Sequence, residues 1–151
     1  MSRKTGLYKL AVLIGAIVLV IGWIIIQFMS DSPHIQPGSV RFYLLVRSTL
    51  IRKCPQLSAV SGSIEYFYSP NDGPARRSCG ITYLSSADSN SMMKSIDNYL
   101  IQQGYIPAER RKTEDGFSSD YRRQNTVTSA TCNISTVGDA TRVVVYDLQD
   151  E

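Results

Sequence analysis

Histidine is almost missing from this chain: of 151 residues only His34 carries an imidazole. That removes the usual base for a Ser or Cys nucleophile, because His34 stands in a Pro-, Gly- and Ser-rich stretch that reads as a linker. Nucleophile-elbow, P-loop, dinucleotide-binding and HExxH patterns are absent as well. Cysteine is scarce, at three, with no Cys-x-x-Cys pair, so a zinc site would need scattered thiols and carboxylates. These absences point away from an enzyme and from any metal or cofactor. A hydrolase built on two carboxylates, such as Glu65 and Asp120, is the catalytic arrangement that local spacing does not reveal.

Charge is missing from residues 10–29, where Gln27 is the one strongly polar side chain. As a helix this run would extend about 30 Å, the thickness of a bilayer's hydrocarbon core, and it predicts one transmembrane helix of signal-anchor type. Arg3, Lys4 and Lys9 precede it, whereas no Lys or Arg follows until Arg41. The positive-inside rule then sets residues 1–9 as a cytoplasmic tail and residues 30–38 as a linker to an extracytoplasmic, periplasmic domain at 39–151. The expected location is the inner (plasma) membrane, crossed once. A cleaved signal peptide is the alternative, but the run exceeds the usual apolar core of a signal and no Ala-x-Ala follows.

A basic excess is missing too, once the chain is divided. Three of the 16 Lys and Arg precede the apolar run and all 13 Asp and Glu follow it, so the remainder is formally neutral. A neutral domain lacks the electrostatic footprint of a nucleic-acid binder.

What is present reads as α+β, in the order αββαββββ, with two helices packed on one face of an antiparallel sheet. Residues 40–53 fit a helix capped by Ser39 and ended by Pro55, although Arg47 falls on its apolar arc and Phe42 and Leu45 on its polar one. Alternation at Val40, Phe42, Leu44 and Val46 leaves a strand as the competing reading. Two aromatic and β-branched runs, 63–69 and 79–85, flank the turn-forming residues 70–74 and read as a hairpin. Met92, Ile96, Tyr99 and Leu100 form a helical stripe, with Met93 at its edge, between the capping residues 86–90 and Gly104. Four strands follow at 105–112, 117–124, 128–135 and 141–148. Asp115-Gly116 and Gly138-Asp139 read as their tight turns. Centred there, the hairpins set Arg111 opposite Asp120, Glu109 opposite Arg122, Cys132 opposite Val145 and Ile134 opposite Val143.

Cys79 and Cys132 both fall on apolar, core-directed strand faces, which makes them the expected disulfide; Cys54 with Cys79 is the second choice. Two function classes remain. The first is a non-enzymatic interaction or accessory protein, of immunity type or a minor subunit of a membrane assembly, whose partner is another protein. The second is a small-ligand sensor or binding module with an aromatic pocket between helices and sheet, lined by Tyr66, Tyr68, Tyr83 and Tyr99.

Overall fold

A computed structural model describes residues 2–29, 32–70, 77–124 and 128–149 of the chain. It divides into two compact units, Met1–Ser30 and Asp31–Glu151.

The first unit is helix α1 (Ser2–Met29). Its helical residues begin within the segment expected to be a tail. Among the described residues no helix is long and apolar enough to cross a membrane. The expected transmembrane helix is therefore corrected, and the signal-anchor reading, the inner-membrane location and the periplasmic placement of the domain lose their basis with it.

The second unit opens on β1 (Ser32–Ile35), in the stretch expected to be a linker. Edge strands tolerate proline because one side of their backbone needs no ladder partner. Ile35, 1% exposed, anchors this strand in the core, and His34 pairs with Glu65 at 2.9 Å.

The expected single helix at 40–53 is two short ones, α2 (Val40–Leu45) and α3 (Thr49–Arg52). Ser39 caps α2 by accepting from the Phe42 amide at 3.2 Å. Val46 then leaves the helical region at ψ 78°, and Ser48 caps α3 by accepting from the Ile51 amide. The carbonyls released at the break find a donor in Arg52, whose guanidinium bonds to the Val46 and Tyr43 oxygens and lies over the Phe42 ring. The break explains the imperfect helical pattern: Leu45 turns into the core and Arg47 out to solvent.

Strands β2 (Glu65–Ser69) and β3 (Arg77–Ser85) pair antiparallel, with Tyr66 opposite Ile81. Of the turn expected at 70–74, residues 71–74 lie outside the described residues. Helix α4 (Ser89–Gln102) is capped by Asp88, whose carboxylate accepts from the Asn90 and Ser91 amides. It ends at Gly104 with φ +84°, a backbone conformation that glycine adopts without penalty. Met92, Met93, Ile96 and Leu100 are buried beneath it.

The last four strands are β4 (Tyr105–Thr113), β5 (Gly116–Arg123), β6 (Ser129–Val137) and β7 (Ala140–Gln149). All seven strands form one antiparallel sheet in the order β1-β2-β3-β7-β6-β5-β4. Helix α4 carries the chain to the far edge, and the meander returns until β7 pairs with β3. The observed order differs from αββαββββ by the additional first strand and by the division of the first helix.

The second hairpin has the expected register, with Cys132 opposite Val145 and Ile134 opposite Val143. The first is shifted. Thr113 faces Gly116, so Glu114 and Asp115 make the turn and Glu109 faces Asp120. A β-carbon on Gly116 would stand 1.9 Å from the Ile134 carbonyl oxygen; this glycine serves a close strand contact and not the turn. The expected cross-strand ion pairs accordingly do not form. Arg111 instead bonds to Glu109 on its own strand, and Arg110 to Asp97 of α4.

Cys54, Cys79 and Cys132 are buried free thiols, which corrects the expected Cys79–Cys132 disulfide. Strand β7 intervenes: Cys79 faces Asp147 on it and Cys132 faces Val145. Two strand spacings of about 4.8 Å already exceed the roughly 7 Å limit between α-carbons that a disulfide can bridge. Burial pushes the thiols up, to about 12 for Cys54 and about 11 for Cys79, so both are held as neutral thiols.

Candidate functional site: a polar cavity at one end of the sheet

The expected aromatic quartet comes first. Tyr66, Tyr68 and Tyr83 are buried and Tyr99 is half-buried. The Tyr83 hydroxyl donates to the Pro55 carbonyl at 2.8 Å and the Tyr99 hydroxyl to the Leu50 carbonyl at 2.6 Å. Tyr66 accepts from the Gln56 amide at 3.3 Å. Three of the four hydroxyls thus converge on the segment from Leu50 to Gln56 and fasten it over the sheet. Burial pushes the Tyr83 phenol up, and takes that of Tyr99 to about 12.

A cavity of about 400 Å³ lies elsewhere, and none of the four tyrosines lines it. Its floor is Asp147 with Ser48, Leu50 and Tyr105, all buried. Its rim is formed by Arg47, Thr49, Gln103, Arg123 and Thr128. Antiparallel pairing gathers these residues. The start of β4, the end of β5, the approach to β6 and the end of β7 share one end of the sheet, with Tyr105 opposite Arg123. Gln103 follows α4 directly, and Arg47 and Ser48 are the break between α2 and α3.

The floor is organised by a carboxylate on the wrong side of a strand. Asp147 shares the inward face of β7 with Val143 and Val145 and is only 3% exposed. A buried carboxylate needs partners. Ser48 donates to its Oδ2 at 2.7 Å and Tyr105 to its Oδ1 at 3.2 Å. The Ser48 oxygen also accepts from the Ile51 amide, so one hydroxyl caps α3 and fastens it to β7. Burial, and then the Asp147 charge, raise the Tyr105 phenol to about 12.

No match to this chain is found among protein families, curated proteins or solved structures. Function is therefore argued from the site alone.

Chemically the cavity offers cations and hydroxyls around a carboxylate whose two oxygens both hold donors. Among the described residues there is no group of three or more His, Cys, Asp or Glu arranged to hold a metal. Sequence reasoning passed over Asp147, although its signal was available: a carboxylate two residues beyond Val145 on a strand of period two must share the apolar face. Arg47, the misfit of the helical wheel, was the corresponding signal for the break.

Proposed function

We propose that the domain is a non-enzymatic binding module that holds a small molecule in the cavity above Asp147. The carrying observation is the cavity itself, about 400 Å³ with a buried, hydrogen-bonded floor and an exposed rim contributed by separate elements. Pockets that hold small ligands are typically about 300–1,000 Å³ and largely preformed. This ligand reading differs from the one the sequence suggested in both place and character, polar and basic in place of aromatic.

The test is a fragment screen on the full-length protein, read by amide chemical shifts. Saturable shifts clustered at Arg47, Gln103, Tyr105, Arg123 and Thr128 are expected. Thr128→Trp, which places an indole at the rim, should abolish them. Hits that cluster elsewhere and survive Thr128→Trp would sink the proposal.

A second reading, attachment to another protein, draws on α2, where Val40 and Tyr43 are 66% and 63% exposed and stand three residues apart on one helical face. Crosslinking followed by recovery would test it, with loss of the crosslinked product in Tyr43→Ser as the expected result.

A further inference from the structure

We propose that the face of the sheet opposite the helices is a self-association surface, on which a second copy of this chain packs sheet against sheet. The proposal is independent of the ligand reading, because Asp147 and the cavity above it belong to the other face.

All three helices of the second unit take that other face. Phe42 of α2 rests on Tyr66, Ser48 before α3 donates to Asp147, and the Met93 sulfur of α4 accepts from Ser119 and Tyr121. Strand alternation then aims Phe67, Leu84, Val144, Tyr146 and Leu148 the opposite way. Each is half-buried, and among the described residues no helix of this unit lies over them. A sheet face that meets water normally carries polar side chains. This one carries them at its margins and apolar ones at its centre.

The centre is β7, the fourth of seven strands, with Val144, Tyr146 and Leu148 on its outward side. Beside it Gly80 keeps the surface flat: the Phe67 ring lies 2.2 Å from where a β-carbon would stand, and its centroid is 6.4 Å from that of Tyr146. Outward charges lie on the flanking strands and at the strand ends, where Glu65, Glu109 and Asp120 are balanced by Arg111, Arg122 and Arg142. An apolar middle within a charged rim is the anatomy of a protein interface. Balanced rim charges let the face meet its own copy across a two-fold axis without a field of one sign opposing itself.

Area favours a second copy over a smaller occupant. An outward residue of an antiparallel sheet covers roughly 30 Å², so about two dozen outward positions on β2 to β7 present roughly 700–800 Å². A stable interface of standard size takes about 800 Å² and about 20–30 residues from each partner. Only an equally broad, equally twisted surface covers such a face, and two like sheets do so about 10 Å apart with their strands within about 30° of each other. The edges of the sheet are poor alternatives. Strand β4 carries Pro107, a register shift and the run Arg110-Arg111-Lys112, and β1 has four residues, a proline and a register shift.

The experiment is sedimentation of the full-length protein over a dilution series, joined to hydroxyl-radical footprinting. A monomer–dimer equilibrium is expected, with Phe67 and Tyr146 shielded as the dimer forms and Tyr43, on α2, oxidised equally throughout. Val144→Lys should weaken the dimer at least about tenfold, because symmetry brings two lysines into one apolar centre. Thr82→Lys, beside Val144 and already polar, should weaken it too without endangering the fold, while Lys94→Glu on α4 should leave it unchanged. A dimer indifferent to both lysine substitutions, or one that forms with Tyr146 still fully oxidised, would overturn the proposal. So would a monomer at every concentration, and if its Tyr146 were shielded only in a cell lysate the face would belong to a different protein.

Discussion

Ser48→Ala removes two interactions at one atom, and the geometry predicts how they divide. As the cap of α3, the hydroxyl accepts from the Ile51 amide at 3.4 Å, a contribution of about 1 kcal/mol. As the donor to Asp147 at 2.7 Å it serves a buried charged acceptor, for which the loss is about 1.5–3 kcal/mol. The sum, about 2.5–4 kcal/mol, is a large part of the roughly 5–15 kcal/mol that holds a typical domain together. Urea unfolding of the full-length protein should show an unchanged slope and a midpoint lower by about 1–3 M. Made in an Asp147→Ala background, the same substitution should cost only the cap. The two substitutions should therefore couple by about 1.5–3 kcal/mol in a double-mutant cycle. A coupling below about 0.5 kcal/mol would refute the view that this hydroxyl fastens α3 to the floor of the cavity.

Gly80→Ala should destabilise by about 1–3 kcal/mol in thermal unfolding, because the new methyl would stand 2.2 Å from the Phe67 ring and 2.7 Å from the Val145 carbonyl, and the backbone atom has little room to yield. Truncating Phe67 as well should recover only the part due to the ring; full recovery would show that the carbonyl contact is harmless. Tyr121→Phe should cost about 1–3 kcal/mol, since the Tyr121 hydroxyl donates to Asp97, which Arg110 holds at 2.7 Å, and this clasp joins α4 to β4 and β5. An unchanged midpoint would remove the clasp from the account. Mass spectrometry without reductant should find three free thiols, with Cys132 alkylated only on unfolding; a peptide linking Cys79 to Cys132 would contradict the sheet order. Because the folded values of Cys79 and Cys54 are raised above the usual 9.0, to about 11 and about 12, their contribution to stability is complete below about pH 9 and is lost as pH rises toward those values. Urea midpoints should fall over that alkaline window and fall less in Cys79→Ala; the same slope in both would assign the effect to other groups.

What the sequence determined by itself was whatever depends on short-range periodicity. The alternation of Cys132, Ile134, Val143 and Val145 around Gly138-Asp139 specifies both the face and the register of β6 with β7, because successive strand side chains point to opposite sides. The stripe through Met92, Ile96 and Leu100 likewise specifies α4. Local signals misled where one residue type serves two purposes. Gly116 resembled a turn glycine but fills a contact with β6, Pro33 resembled a linker proline but lies on an edge strand, and the apolar run of α1 resembled a membrane span, whereas no helix among the described residues is long and apolar enough to cross a membrane. The tertiary structure alone decided the rest. Inserting β7 between β3 and β6 separates Cys79 from Cys132, and bringing β4, β5, β7 and the break before α3 to one end of the sheet assembles the cavity. Those residues meet across separations as long as the 99 positions between Ser48 and Asp147, and no local pattern encodes such a meeting because it is set by which strands find each other as the sheet closes.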